Sequence, residues 1–345
     1  MKKIIQFVTQ KEAGGAQIIM ARIDEGFRAK GMFSRIFAFY SKRETSLEIS
    51  EILNNKINIS NIPSLLKLIR KEIEKHNYDA VISHTHYSNL IVQIIAFSLK
   101  TKNRIAVHHN SPKTYAGIVA FIDKIYGTLG IYTKVVLVAD HLLNDFSDYP
   151  MAYRKKILVI KNGIEKSQKQ WKPLYNDGRI NLVCIGRLSE QKNHIFILRI
   201  VAKNPTLYLT IIGDGEMRSE LEKYVVDHKI EERVQFAGQI DNSVAKDALL
   251  LHDIFVFPSV FEAMPIALME AMNIGIPIIA SNIPSNIETL KGGGIAVDLI
   301  EEEWIKAIEF LKYNSNIAET ISIAEINRSG DFELNKMVDE YERIL

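Results

Sequence analysis

The chain has 345 residues, 47% of them hydrophobic, a formal net charge of +2 and one cysteine, which at roughly 150 residues per domain makes it a two-domain globular protein and excludes disordered and fibrous classes. Cys184 alone makes no internal disulfide and no cysteine-rich zinc site, as expected for a reducing compartment. The small net charge conceals an opposed split: residues 1–172 carry 27 Lys and Arg against 14 Asp and Glu, residues 173–345 carry 16 against 27, so the two halves are expected to face different partners.

Residues 3–8 read as a buried strand, an apolar run broken by Gln6 and too short for the core of a signal peptide. Gly14 and Gly15 follow, then residues 17–28 in helical period. Residues 33–40 are a second strand, and 62–76 alternate apolar and basic residues at helical spacing. Strands at 79–83 and 103–107 end at His84 and His108, and further strands are predicted at 135–139 and 157–160. The longest apolar stretch, 90–99, is interrupted by Gln93 and Ser98 and is too short to span a bilayer. Between Met151 and Lys172, seven Lys and Arg face only Glu165. No aromatic-rich RNA-binding pattern or zinc-finger spacing accompanies them. Phosphate or anionic lipid is therefore expected ahead of nucleic acid.

The second half repeats the plan. Strands are predicted at 181–185, 207–212, 234–237, 254–258 and 277–280, helices at 193–201, 216–226 and 267–273, and the tail from Glu301 is helical and charged. Apolar strands alternating with helices imply parallel sheets buried on both faces. The expected architecture is two doubly wound, Rossmann-like α/β domains with a cleft between them: residues 1–165, residues 166–330, and 331–345 a helix returning to the first domain. In such sheets ligands gather outside the carboxyl ends of strands.

The unusual residues collect at those ends. Gly14 and Gly15 open a helix, either as a backbone surface for an anion or as a plain tight turn. Neither they nor Gly213-Asp214-Gly215 carry the G-x-G-x-x-G spacing of dinucleotide-binding dehydrogenases. His84, His86, His108 and His109 cluster at two strand ends without the ligand variety of a metal site, and His109 is the one expected at the cleft. Arg187 and Lys192 follow a strand and precede a helix, an arrangement suited to a diphosphate. Glu262, the amides around Ala263, Met264, Pro265 and Ile266, and Glu270 one turn along the next helix suit a polyhydroxylated ligand such as a nucleotide-sugar. Lys113 to Lys134 places Ile118, Ile122, Ile125 and Leu129 at helical spacing among tyrosines and lysines. This segment either covers the first sheet or docks on an anionic membrane surface.

Taken in order, Gly14-Gly15-Ala16-Gln17, Asn162-Gly163-Ile164-Glu165, Gly186-Arg187 with Lys192, Gly213-Asp214-Gly215-Glu216, Phe236-Ala237-Gly238 and the Glu262-to-Glu270 element resemble the retaining nucleotide-sugar glycosyltransferases of family 4, which have the GT-B fold. The resemblance implies transfer of a sugar, a UDP-sugar first of all, to a glycan or lipid-linked saccharide acceptor in bacterial surface polysaccharide synthesis. It implies a cytoplasmic enzyme with no cofactor and no metal; docking of the 113–134 segment on an anionic surface, the second of its two readings, would place the enzyme at the inner membrane face. By the same resemblance Arg187 and Lys192 hold the donor diphosphate and stabilise the leaving group, Glu262 meets the donor sugar, Glu270 binds the ribose and His109 lies near the transferred sugar. Gly14, Gly15, Gly186, Gly213 and residues 263–266 line the donor. Ala263 stands where relatives carry glycine, and would be strained if the position required a positive φ. A non-catalytic scaffold or binding subunit, or a nucleotide-sugar 2-epimerase, are the alternative readings.

Overall fold

The computed structural model describes residues 1–11, 14–41, 49–51, 61–173 and 178–345. The polar stretch 165–179, with Pro173 and Gly178, is where the sequence places the domain boundary, and its residues 174–177 lie outside the described residues. The chain divides into two units, one of Met1–Gly163 with Leu334–Leu345 and one of Ile164–Glu333. The divisions fall a few residues from the expected 165 and 330. Ile164 N–H donates to Phe332 O at 2.7 Å, and Ile164 pairs with Glu333 as a short parallel bridge, so both ends of the second unit are tied together.

The first unit is built on an all-parallel seven-stranded sheet, with β1 (Lys3–Gln10), β2 (Phe33–Tyr40), β3 (Ser50–Glu51), β4 (Ala80–His84), β5 (Asn103–His108), β6 (Lys134–Leu137) and β7 (Ile157–Val159) in the order β3-β2-β1-β4-β5-β6-β7. Its central strands are sealed on both faces: Ile4, Ile5, Phe7, Val8, Val81, Ile82, Ile105 and Val107 have no exposed surface. Crossover helices α1 (Gly15–Ala29), α2 (Ile62–Glu74) and α3 (His86–Ser98) bury apolar residues on the sheet, α4 (Gly117–Leu129) turns Val119, Asp123 and Gly127 inward, and a short α5 (Met151–Arg154) precedes β7. The apolar run at 90–99 is the body of α3. Gln93 within it is fully buried and donates to the carbonyls of Val81 and Ile105.

The second unit carries β8 (Ile180–Ile185), β9 (Leu207–Ile212), β10 (Val234–Gly238), β11 (Ile254–Phe257), β12 (Ile278–Ser281) and β13 (Ile295–Val297), all parallel, in the order β10-β9-β8-β11-β12-β13. Helices α6 (His194–Lys203), α7 (Arg218–Asp227), α8 (Asn242–Leu249), α9 (Ile266–Ile274), α10 (Pro284–Leu290), α11 (Glu301–Tyr313) and α12 (Ser315–Ser329) surround it. The terminal helix α13 (Leu334–Arg343) belongs to the first unit. It packs so closely on α1 that a Cβ on Gly26 would lie 2.4 Å from Val338 Cγ2, and Lys30 pairs with Asp339 and Glu342.

Each sheet has one point where the winding reverses. In the first unit it lies between β1 and β4, in the second between β8 and β11. The carboxyl ends of strands flanking such a reversal open a crevice that crossing helices cannot fill. Among the described residues no helix is long and apolar enough to cross a membrane.

Candidate active site

In the second unit the predicted residues converge on the β8/β11 reversal. Gly186 and Arg187 leave β8, and a single 3-10 turn, Glu190–Lys192, precedes α6. The return loop from β11 carries Glu262. Lys192 Nζ reaches across the reversal to Glu262 Oε1 at 2.6 Å, with side chains only 18% and 9% exposed, and sits 4.7 Å over the Phe257 ring. Two further contacts lace the loops together: Val260 N–H donates to Gln191 O at 2.9 Å, and Gln191 Nε2 donates to Phe261 O at 2.9 Å. A shielded ammonium held against an aromatic face and one carboxylate is positioned before a ligand arrives.

Arg187 is differently placed. It pairs with Glu216 at 3.0 Å, but its side chain is 72% exposed, so the pair contributes little and the guanidinium is free to swing onto an anion. The loop bearing it is set by close backbone approach. Gly213, at φ +141°, lies so near the Gly186 carbonyl that a Cβ would be 2.0 Å from that oxygen. A Cβ on Gly215 would meet Leu188 O at 2.3 Å. Those two glycines are therefore spacing elements for the Arg187 loop.

Pro265 caps α9 with extended backbone, and the first helical hydrogen bond is Met269 N–H to Pro265 O. The amides of Ile266, Ala267 and Leu268 thus precede the helical ladder, at the positive end of the helix. Ala263 is not among the residues with positive φ, so the expected strain there is absent. Glu270 is buried on α9 and accepts from Asn242 Nδ2 at 3.2 Å, with Lys246 Nζ 3.7 Å away. Asn242 and Lys246, from α8, had no local sequence signal: only the packing of α8 on α9 brings them to Glu270.

The first unit has its own strand-end cluster. Gly14 is the extended N-cap of α1 and Gly15 its first residue; neither takes a positive φ, so the pair opens the helix without a left-handed turn. Thr9 Oγ1 and Thr85 Oγ1 lie 2.7 Å apart across the β1/β4 reversal. Thr85 takes φ 83° and ψ 147°, a conformation that costs a β-branched residue about 1–3 kcal/mol. Its carbonyl accepts from Asn89 N–H at 2.9 Å and Ser88 Oγ at 3.0 Å, which hold it there. His84 is fully buried and contacts His109 through Nδ1 at 3.0 Å. His108 lies deeper, 3.1 Å from Tyr115 OH and 3.2 Å from Tyr153 OH, the latter donating to buried Asp123. Burial lowers His84, His86 and His108 from the ordinary histidine value. Burial, followed by the neighbouring His108, takes His109 down to about 3. Among the described residues no three His, Cys, Asp or Glu form a group fit for a metal.

Residues 165–326, nearly the whole of the second unit, match the family described as glycosyl transferases group 1. The chain is a glycosyltransferase whose second unit carries the group 1 match. It is 24% identical over 368 residues to the Staphylococcus aureus capsular polysaccharide biosynthesis glycosyltransferase CapH, covering all of this chain and 98% of that one. It is 26% identical over 265 residues to the Escherichia coli UDP-Gal:alpha-D-GlcNAc-diphosphoundecaprenol alpha-1,3-galactosyltransferase, covering 66% of this chain and 65% of that one. The crystal structure of Anabaena Alr3699/HepE in complex with UDP and glucose superposes with a TM-score of 0.84 over the full length of both chains at 16% identity. That likeness establishes the GT-B fold for this glycosyltransferase.

The apolar stripe of α4 faces outward. Ile118 is 65% exposed and Leu129 70%, with Phe121 and Ile125 also exposed, whereas Val119, Asp123 and Gly127 point inward. Covering the sheet therefore falls to the small inward residues. A Cβ on Gly127 would lie 2.1 Å from the Tyr153 ring, which explains how α4 packs so closely without its larger side chains. The stripe continues to exposed Phe97 through Arg104, which stacks on Phe97 at 5.3 Å and donates to Gly130 O at 3.0 Å.

Proposed function

We propose that this glycosyltransferase moves a sugar, with retention of anomeric configuration and without a metal, from a UDP-sugar to a glycan or lipid-linked saccharide of a bacterial surface polysaccharide. The observation that carries the reading is the Lys192–Glu262 pair across the β8/β11 reversal, flanked by Arg187 and the amides of α9. A diphosphate arriving there meets two cations and a helix start. Lys192 turns from Glu262 to the phosphate, and Glu262 becomes an acceptor for hydroxyls of the donor sugar. As the bond between the anomeric carbon and the phosphate oxygen breaks, charge grows on the diphosphate, where Arg187 and Lys192 stand. The acceptor oxygen bonds to the anomeric carbon from the same face and yields its proton to the departing phosphate oxygen. Glu270 accepts from the ribose hydroxyls, and His109 meets the transferred sugar. The UDP preference is supported by the nucleotide in the HepE complex and the donor named for the galactosyltransferase. The surface-polysaccharide role is supported by the names of CapH and its relatives.

Calorimetry against UDP-, GDP- and ADP-sugars tests the donor site. UDP-sugars are expected to bind best, equally with and without chelator, and Glu270→Ala to weaken binding roughly tenfold or more. Preference for another nucleotide, or UDP-sugar binding indifferent to Glu270, would overturn the assignment.

We further propose that the outward stripe of α4 rests on an anionic membrane, where a lipid-linked acceptor is met. The support is the exposed row Ile118, Phe121, Ile125 and Leu129 on the basic half of the chain. Co-sedimentation with phosphatidylglycerol-containing vesicles is expected, with loss on Phe121→Glu plus Leu129→Glu. Equal recovery with neutral and anionic vesicles would remove the proposal.

A further inference from the structure

A chain of hydrogen bonds runs from the interior of the first unit to its strand-end surface. It begins at Gln6, the polar residue that breaks the apolar run of β1 and is fully buried there. Gln6 Oε1 lies 3.1 Å from His84 Nε2 on β4, and His84 Nδ1 lies 3.0 Å from His109 Nε2 just past β5. His84 is fully buried, whereas His109 is half-buried, the outermost member.

The direction of this chain is set at its buried end. With the Gln6 oxygen toward His84, and Gln6 Nε2 buried without a hydrogen-bond partner among the described residues, the amide accepts and the proton of His84 sits on Nε2. His84 is neutral, because burial holds it well below the ordinary value, and its Nδ1 therefore offers a lone pair. His109 must then donate from Nε2. Being neutral as well, it keeps a lone pair on Nδ1, which receives no hydrogen bond from the described residues. Both rings thereby carry the proton on Nε2, the tautomer that free neutral histidine favours. The end of β4 is held rigidly beneath them. Ser83 Oγ donates to Asn89 Oδ1 at 2.7 Å, Asn89 Nδ2 donates to Val107 O at 3.1 Å, and Gln93 Nε2 donates to Ser83 Oγ at 2.8 Å.

We propose that Gln6 and His84 are positioning residues that hold His109 as the Nε2–H imidazole, presenting Nδ1 as a hydrogen-bond acceptor to a hydroxyl of the transferred sugar. This rests on the reading that His109 meets that sugar. Its consequence is selective: an imidazole acceptor fixes which way the hydroxyl hydrogen points, whereas an imidazole donor would fix the opposite orientation. Turning the Gln6 amide over would reverse both rings, so the tautomer of His109 reports directly on Gln6.

The test uses the full chain with 15N-labelled imidazoles, His109→Gln serving to assign the His109 resonances. In the wild type Nε2 of His109 is expected to carry the proton and Nδ1 to be bare. His84→Phe keeps a ring but removes the acceptor, and is expected to average the His109 tautomers and lower kcat/KM about tenfold. His84→Gln offers an amide oxygen to His109 and is expected to restore most of that loss. A proton on Nδ1 of wild-type His109, or a folded His84→Phe with unchanged kcat/KM alongside an impaired His109→Ala, overturns the proposal. Failure of the underlying reading looks different: His109→Ala would then leave kcat/KM unchanged while the wild-type tautomer is as expected. The wild-type spectrum decides the tautomer even if His84→Phe does not fold.

Discussion

Replacing Lys192 by alanine is expected to lower kcat by a factor of about 10² to 10³, with a smaller rise in the KM for the donor. Lys192 is held at 2.6 Å from Glu262 and over the Phe257 ring, in a spot shielded from water. An ammonium there strengthens most where charge grows most, on the departing diphosphate, so its loss raises the barrier more than it weakens ground-state binding. Arg187 compensates only in part, because its side chain is 72% exposed and its charge is screened by water. Removal of Lys192 also leaves Glu262 without its ion-pair partner in a site only 9% exposed, which favours local loosening. The thermal midpoint of Lys192→Ala must therefore be measured beside its kinetics. Steady-state rates at saturating donor, on folded protein, check the prediction. A rise confined to KM with kcat intact would sink the leaving-group role and recast Lys192 as an ordinary phosphate contact.

The second large effect is expected at Gly213. Alanine there is expected to destabilise the protein by at least about 3 kcal/mol and to abolish donor binding. Two costs add. The residue sits at φ +141°, which side chains rarely adopt, and the new Cβ would fall 2.0 Å from the Gly186 carbonyl oxygen. That oxygen belongs to backbone and cannot turn aside as a flexible side chain would. The Gly186–Arg187 segment must move instead, carrying Arg187 off its place. Gly117→Ala is the control, since nothing lies within 4 Å of its added Cβ and its φ is not positive. Urea unfolding of both variants checks this, and an unchanged midpoint for Gly213→Ala would show that the close approach is not required.

Much of this was legible residue by residue. The strand at Leu207–Ile212 appears with the expected bounds, and β8 begins one residue before its predicted start. Buried parallel strands are continuous apolar runs, and turn residues bracket them, so their pattern is local. The placement of Arg187, Lys192 and Glu262 beyond strand ends, and of Glu270 one turn along a helix, was also legible, because it depends only on where the neighbouring elements begin and end. Other elements were too short to announce themselves: β13 spans three residues, and α10 is seven residues long.

What the sequence by itself determined is the alternation of elements and the residue types delivered to the strand ends, because both depend on neighbours a few positions apart. What only the tertiary structure decided is who meets whom. Gln6, His84 and His109 join across separations of 78 and 25 residues through the register of β1, β4 and β5. The positive φ of Thr85 has no signature in a β-branched residue and exists because Asn89, Ser88 and Thr9 bind it there. The outward turn of α4 follows from Gly127 meeting Tyr153, a contact that helical periodicity does not contain. Periodicity gives a helix its apolar stripe, but the side on which that stripe lies is set by what the smallest residues on the other side allow to approach.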